Sequence, residues 1–521
     1  MSASHTICEV EFRPSCLTTN NTTADITLNQ SETIAAIDLG SNSFHMIIAR
    51  HHNGQLQIID RVKEMVRLGG GLDKKNNLKR DAMERALATL ERFGQRLNGI
   101  PPHAIRCVGT KTLRTARNAE PFLELAQDAL NHEIEIISGF EEARLIYQGV
   151  THDIETEDQP LLVMDIGGRS TELIRGVGQQ PQQMDSLTMG SVSTSLRHFA
   201  DGKISHKRME RAELDALSEL RGVRKQYRQP HWERAIGSSG TIRTIARIIQ
   251  TEGWSQNAIT FNDLKRLRKT VIAAGSIDAL QFEGLKEERR PVFPGGLAIL
   301  YATFKSLKIE EMLVSDGALR EGVIYDYIGR ISNHDIRELA IDSLTERYHV
   351  DHAHAERVHV MASALFNQVA HHFDNDEERF ENALRWSAKL HEIGLAISHR
   401  KYHHHSAYLI EHSDIPGFSR QEQRTLSTLV AAHRMKIRTD HFESFKLEQL
   451  LLHLAVLLRI AVLLYRGRGH ETIPVPQIIL KHGKVSLRFN PGWLEEHALT
   501  HNDLKAEQRY LKKLGIALRF D

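Results

Sequence analysis

The sequence predicts an α/β protein of two related lobes facing each other across a cleft, followed by an all-α region and a small α+β unit at the C-terminal end. Three observations predict it. A strand–loop–hairpin unit occurs twice, 127 positions apart. Strands alternate with helices after each copy, which argues for parallel sheets covered by helices. From about residue 330 helical spacing continues with no strand signals.

The first unit begins at Ala35–Ile37, an apolar run that reads as a buried strand with Asp38 at its mouth. Gly40, Ser41, Asn42 and Ser43 follow. Backbone N–H groups and small hydroxyls in such a turn can cradle a phosphate, with a carboxylate nearby to hold a cation. "FHMIIAR", a turn at Asn53-Gly54 and "QLQIIDRV" then signal a hairpin. Met83, Ala86, Leu87, Leu90, Phe93 and Leu97 lie at helical spacing, closed by Gly99. "IRCVGT" (105–110) predicts a strand, "TARNAEPFLELAQDAL" (115–130) a helix and "IEIIS" (134–138) a strand. "EEARLIYQGV" (141–150) starts another helix, and Glu141-Glu142 alone reads as an acidic first turn suited to the helix dipole.

The second unit is "LVMDIGGRSTELI" (162–174). Aligned on the aspartates, Asp38-Leu-Gly-Ser-Asn-Ser43 matches Asp165-Ile-Gly-Gly-Arg-Ser170. "TELIRG", a Gly/Gln/Pro turn and "QQMDSLTM" complete its hairpin. "RAIGSSGTIRTIARII" (234–249) reads as strand, Gly/Ser loop and helix, and "EMLVSDGALREGVIYDYI" (311–328) ends the half in the same way. Two halves that each present an Asp-Gly loop imply a cleft with phosphate in it.

Beyond residue 330, "LAIDSLTERYHV", "AERVHVMASALFNQVAHHF" and "ENALRWSAKLHEIGLAI" are helical. Residues 476–521 hold "QIILKHGKVSLRF", a hairpin turning at His482-Gly483, then a polar helix and "GIALRF".

The whole chain bounds these readings. At 521 residues it exceeds one hydrophobic core, so two to four domains are expected. It is 41% hydrophobic and 26% charged, as in soluble globular proteins, and has no run of about 18 apolar residues that could span a membrane. Its 67 basic and 66 acidic residues create no global field for nucleic acid or membrane, so a polyanion must be held by a local patch. Cys8, Cys16 and Cys107 imply no disulfide framework. Residues 1–32, rich in Thr and Asn and lacking the order of a signal peptide, read as a disordered extension. A cytoplasmic location fits, with peripheral contact at the inner face of the membrane left open.

"AAIDLGSNSFHM", "IEIISGFEEARLIY", "MDIGGRSTEL", "GSSGTIRT" and "SDGALREGV" together resemble the exopolyphosphatase/guanosine pentaphosphate phosphatase (Ppx/GppA) family, from about residue 33 onward. The resemblance implies two actin/sugar kinase/Hsp70-like (ribonuclease H-like) lobes at 33–152 and 153–328. After them it implies a helical domain like HD phosphohydrolases at 329–472 and a small α+β domain at 473–521. It further implies a homodimer that hydrolyses terminal phosphoanhydrides with Mg²⁺, and admits a monovalent cation such as K⁺. Residue by residue, Glu142 matches the catalytic glutamate, and Arg114 an arginine facing the cleft. Asp38, Asp165 and Glu172 match carboxylates lining the metal and phosphate site. Gly40–Ser43, the run Gly167, Gly168, Arg169, Ser170, Thr171, and the run Ser238, Ser239, Gly240, Thr241 match phosphate-binding turns. The chemistry agrees: the reaction needs an oriented water and neutralised phosphoryl charge. A carboxylate can take the proton, and ions held by acidic groups can bridge phosphate oxygens.

Arg169 departs from the small residue usual there. It would strain a loop needing φ > 0, or else offer a guanidinium to phosphate; phosphate contact is expected. In the helical region, "KLHEIG" (389–394), "HHHSAYLI" (403–410) and "AAHR" (431–434) resemble an HD centre. Glu392 replaces its aspartate, and "LAVLLRIAVLL" (454–464) lacks the late one. A metal-free relic with structural His391 and His433 is expected.

Two substrates compete. Inorganic polyphosphate would need a basic track, for which Lys203, His206, Lys207, Arg208 and Arg211, then Arg221, Arg224, Lys225 and Arg228, then Lys265, Arg266, Arg268 and Lys269 are candidates. Lys401, His403–His405, Arg434, Lys436 and Arg438 continue it. "VSDGALREGV", "HHHSAYLIEHSDIPGF" and "AHRMKIR" look closer to exopolyphosphatases, so exopolyphosphatase is the expected activity, with guanosine pentaphosphate hydrolysis the alternative. A kinase of the same superfamily would show ATP consumption coupled to a second substrate. A non-catalytic alarmone sensor would lack Asp38, Glu142 or Asp165, and all three are present.

Overall fold

The computed structural model describes residues 33–521 apart from 53–54, 155–157, 333–334, 374–375, 439–441, 443–444, 446–447, 470 and 482. The N-terminal extension, the Asn53-Gly54 turn and His482 of the last hairpin turn lie outside the described residues.

Lobe I runs β1 (Thr33–Leu39), β2 (Phe44–His52), β3 (Gln55–Glu64), α1 (Arg80–Arg96), β4 (Ile105–Gly109), α2 (Lys111–Thr115), α3 (Ala119–Leu130), β5 (Glu135–Ile136) and α4 (Gly139–Asp153). Lobe II runs β6 (Pro160–Ile166), β7 (Thr171–Val177), β8 (Gln180–Leu187), α5 (Ser191–His198), α6 (His206–Leu220), α7 (Arg224–Tyr227), β9 (Arg234–Ser238), α8 (Ser239–Thr251), β10 (Ile259–Thr260), α9 (Phe261–Ala274), α10 (Phe293–Leu307), β11 (Glu311–Val314) and α11 (Leu319–Ile331). The sheets have orders β3-β2-β1-β4-β5 and β10-β11-β9-β6-β7-β8. Both are mixed rather than parallel: β1 and β6 pair antiparallel with their own hairpins and parallel with β4 and β9.

β1 and β6 are apolar on both faces because each serves two cores. Ala35, Ile37 and Leu39 pack under the lobe I helices, and Leu162, Met164 and Ile166 under those of lobe II. The alternate residues Ile34, Ala36, Leu161 and Val163 turn to a third core, shared by both lobes and built around α4 and α11. These helices touch backbone to backbone. A Cβ on Gly149 would lie 2.1 Å from the Ala318 carbonyl oxygen, and one on Gly322 1.8 Å from that of Leu145. Only glycine fits there, and the lobes share this central pair.

Three local expectations change. The helix expected over 115–130 starts only at Ala119; Thr115 closes α2, and between them the Asn118 side chain bonds both backbone groups of Leu78. The strand expected over 134–138 shrinks to two residues. The Gly/Ser loop expected after β9 is absent: the strand enters α8 directly through Ser239, at φ +86°.

The remainder is α12 (Ile336–Arg347), α13 (His352–Asn367), α14 (Glu377–Leu390), α15 (Tyr402–His412), α16 (Arg420–Ala432) and α17 (Glu448–Leu464). A three-stranded sheet follows, of β12 (Gln477–Lys481), β13 (Lys484–Arg488) and β14 (Ala517–Phe520), with α18 (Trp493–Glu496) and α19 (Ala498–Lys512). Ile478, Leu480, Val485, Leu487, Leu504 and Leu518 share one apolar cluster with Phe366, Leu384 and Leu457, so helices and small sheet pack on a single core. No helix among the described residues is long and apolar enough to cross a membrane.

Candidate active site

β1 and β6 deliver Asp38 and Asp165 to the cleft. Asp165 is buried and Asp38 half-buried, and removal from water pushes each carboxyl up to about 7; Glu142 adds repulsion on both, and Asp165 on Asp38. Asp38 Oδ1 has no hydrogen-bond partner. In the hairpin register Asp165 stands opposite Glu172, whose carboxyl is driven well above its ordinary range by burial, then by Glu142 and Asp165. Ser186 Oγ donates to Glu172 at 2.8 Å.

Glu142 enters from the first turn of α4, which Ser138 caps by accepting the Glu141 N–H. Arg114 Nη1 donates to Glu142 Oε2 at 2.9 Å and to the Ile137 carbonyl at 2.7 Å, fixing the carboxylate's direction. Glu141 points elsewhere. Wholly buried, it takes two bonds from Arg144 and accepts the Gly417 N–H at 2.9 Å, tying α4 to the helical region.

The twin loops fold alike. A Cβ on Gly40 would lie 2.9 Å from the Ser43 carbonyl oxygen and one on Gly167 3.1 Å from that of Ser170, so the glycine lets each turn close over itself. Ser41 accepts from Thr112 Oγ1 at 2.7 Å, and Gly168 packs against the Ser41 side chain from the other lobe. The Thr171 hydroxyl donates to the Met189 carbonyl and holds its loop, while Ser238 donates to the Gly317 carbonyl and stands beside the Asp165 carboxylate. Arg169 takes no left-handed backbone, so no strain arises. Its Nη1 donates to the Gly69 carbonyl of lobe I at 3.1 Å, a bond between the lobes where a phosphate contact was expected.

The acidic group faces cations that motif reading overlooked. Arg320, from the first turn of α11, bonds His45 Nδ1, and His45 Nε2 donates to Ser43 Oγ at 2.7 Å. His45 is held well below its usual range by burial, then by Arg320, Lys63, Arg289 and Arg243. Burial and Arg289 bring Lys63 down to about 8. Arg289 lies flat over Gly240, where a Cβ would sit 1.9 Å from Nη2. Arg320 is buried and Arg243 and Arg289 are half-buried around His45 and Lys63, a concentration of cations suited to an anion. Arg320 and Arg243 lay within quoted motifs, "SDGALREGV" and "GSSGTIRT". Arg289 sits in "KEERR", a mixed-charge run that reads as a solvated face.

Several of the expected track residues instead have partners in neighbouring elements of the fold. Arg208 pairs with Asp201 and Arg268 with Glu213, Arg224 donates to the Ser306 carbonyl, and Arg266 and Arg434 lie over Trp254 and Tyr402. Nor do Asp38, Asp165 and Glu172 converge on one point. Among the described residues, the one trio of metal-ligating groups within 4.8 Å of one another lies in the helical region.

Twin Asp-Gly loops on an actin-like pair of lobes, with clustered carboxylates facing clustered arginines, define a phosphate-handling enzyme of the actin/sugar kinase/Hsp70 class. Comparison with known proteins narrows this. Residues 47–331 match the Ppx/GppA phosphatase family and residues 336–508 match Ppx/GppA phosphatase, domain III; the chain belongs to the Ppx/GppA phosphatase family. It is 41% identical over 502 residues to the guanosine-5'-triphosphate,3'-diphosphate pyrophosphatase of Aeromonas hydrophila, covering 94% of this chain and 99% of that one. The protein of the same name from Vibrio cholerae is 40% identical over 488 residues, 94% of this chain and 98% of that one. An exopolyphosphatase from Cytophaga hutchinsonii superposes with a TM-score of 0.53 at 26% identity, covering 58% of this chain and 98% of that one. The Aquifex aeolicus family member gives 0.50 at 25%, covering 57% and 98%.

Proposed function

We propose that this enzyme hydrolyses the terminal phosphoanhydride of guanosine pentaphosphate, releasing orthophosphate and leaving guanosine tetraphosphate. The observation that carries this reading is its 40–41% identity, over nearly the full length of both chains, to enzymes named for that nucleotide. This favours the alternative over the expected exopolyphosphatase, and the local pairing of the basic track agrees. A cavity of about 1330 Å³ opens beside Arg114, between lobe I and the helical region, lined by Arg117, Arg379, Arg424 and Phe445. It offers a nucleoside end an apolar wall at Phe445 and a mixed polar rim, in which Arg379 pairs with Glu133 and Arg424 with Glu120.

In the reaction, a water held by Glu142 attacks the terminal phosphorus and gives its proton to the carboxylate. The bond from that phosphorus to the bridging oxygen breaks as orthophosphate forms. Arg114 keeps Glu142 aimed, and the N–H groups of the Gly40–Ser43 and Gly167–Ser170 turns receive phosphate oxygens. Arg289, Arg320 and Lys63 neutralise the chain of negative charge. The partnerless Asp38 Oδ1 and the repulsion that Asp165 exerts on both Asp38 and Glu172 fit a Mg²⁺ site. When bound there, Mg²⁺ supplies charge neutralisation of the phosphoryl oxygens.

The test is phosphate release with Mg²⁺ from guanosine pentaphosphate and from long polyphosphate, for wild type and Glu142→Gln. Faster release from the nucleotide, collapsing in the variant, is expected. Faster release from polyphosphate would return the enzyme to the exopolyphosphatase branch, and equal rates in the variant would remove Glu142 as base.

A further inference from the structure

The helical region buries a second group of polar side chains, apart from the cleft. His391 and Glu392 follow the last turn of α14, and His354 lies in the first turn of α13; all three are buried. His391 Nδ1 lies 2.7 Å from the Ala388 carbonyl oxygen, so that nitrogen carries the proton and Nε2 keeps its lone pair. That Nε2, on a residue with no exposure, has no hydrogen-bond partner, and neither has His354 Nδ1. Glu392 Oε1 stands 3.9 Å from His391 Nε2 and 4.0 Å from His354 Nε2. His433 is set the same way, its Nδ1 2.6 Å from the Val430 carbonyl and its ring 5.2 Å from that of His391.

A histidine buried for packing has its nitrogens satisfied, because an unpaired buried polar atom is costly. Here the unpartnered His391 Nε2 faces the Glu392 carboxylate, and His354 turns its Nε2 to the same oxygen. We propose that His354, His391 and Glu392 form a binding site for one divalent transition-metal ion. Two imidazoles and a carboxylate suit Zn²⁺, Co²⁺ or Fe²⁺ and do not suit Mg²⁺, which prefers oxygen. Ligand atoms no more than 4.8 Å apart leave a centre about 2.5 Å from each. Side-chain shifts of a few tenths of an ångström bring that to the roughly 2.0–2.2 Å of Zn–N and Zn–O bonds. The Nδ1–carbonyl bond of His391 is the outer support that metal-binding histidines need.

Arg468 now holds the ion's place. It donates to Glu392 Oε1 at 2.5 Å and reaches Asp351 at 3.4 Å, and its side chain is 44% exposed, so it has an alternative partner and room to leave. The expected metal-free relic rested on the missing aspartates; folding supplies His354, 37 residues upstream of His391, in their stead.

The test is metal content and Co²⁺ or Zn²⁺ titration of the full-length protein after chelation, with Co²⁺ followed by its visible d–d absorption. One equivalent is expected to survive gel filtration. Glu392→Gln, which keeps the residue's shape, should weaken binding by about tenfold or more. Arg468→Ala should tighten it, because the competing cation is gone. His404→Ala/His405→Ala, which alters the neighbouring His run but none of the proposed ligands, should change neither stoichiometry nor spectrum. Absence of a stoichiometric ion, its loss in the His404/His405 variant, or unchanged affinity in both Glu392→Gln and Arg468→Ala would overturn the site.

Discussion

In lobe I, Asp38 is the penultimate residue of β1 and the hairpin register sets His45 across from it; in lobe II, Asp165 is the penultimate residue of β6 and the same register sets Glu172 across from it. The backbones repeat, with Gly40 matched by Gly167, yet the side chains facing the cleft have opposite character. His45 sits among Arg320, Arg289, Arg243 and Lys63, whereas Glu172 sits with Asp165 and Glu142. The duplicated unit supplies two turns of the same shape, and the facing position of the hairpin decides whether a turn belongs to the anion or to the cation side. A phosphoanhydride carries both needs, since its oxygens are negative and its metal is positive.

The comparison breaks most completely at Glu142, which repels the aspartates of both lobes. Glu142→Gln should lower kcat by about 10²–10⁴, with KM for guanosine pentaphosphate nearly unchanged; steady-state phosphate release checks this. On the cationic side, Arg289→Ala should cost about 10- to 100-fold in kcat/KM, because charge-assisted hydrogen bonds contribute about 1.5–3 kcal/mol. The same assay at graded substrate concentrations separates KM from kcat.

The acidic side is sharpened by pH. Asp38 and Asp165 hold their protons in the fold up to about 7, whereas the unfolded chain releases them near 3.8. Between those values the folded state binds more protons, so their contribution to stability is greatest below about pH 4 and declines as pH rises through 7. Metal-free protein should therefore lose Tm across that window. Asp38→Asn should flatten the loss by a few degrees, and Mg²⁺ should restore Tm most strongly above pH 7. Calorimetry with and without chelator reads all three. The smallest effect is expected of Arg169→Gly. Losing the bond to the Gly69 carbonyl should change kcat/KM about two- to tenfold. A larger rise in KM would return Arg169 to the phosphate.

The twin loops, the α/β alternation and the helical remainder were readable because they rest on local patterns: apolar runs, glycine turns and 3.6-residue spacing. Glu142 was readable only through its motif, since an acidic first turn is common on any helix. Arg289, His45 and Lys63 carry no local signal, because what makes them unusual is their convergence beside Arg320 and Arg243, and that convergence joins positions distant in sequence. The basic runs misled for the converse reason: their partners, such as Glu213 for Arg268, lie 55 positions away.

By itself, then, the sequence determined the repeat, the order of elements and the two aspartates at the strand mouths, because period and turn chemistry are written residue by residue. The tertiary structure alone decided which charges confront each other. It crossed α4 and α11 at Gly149 and Gly322, placed Arg320 on His45, split Glu141 from Glu142 into separate tasks and brought His354 to His391. Electrostatics falls off with distance in space, not along the chain, so only folding could settle those pairings.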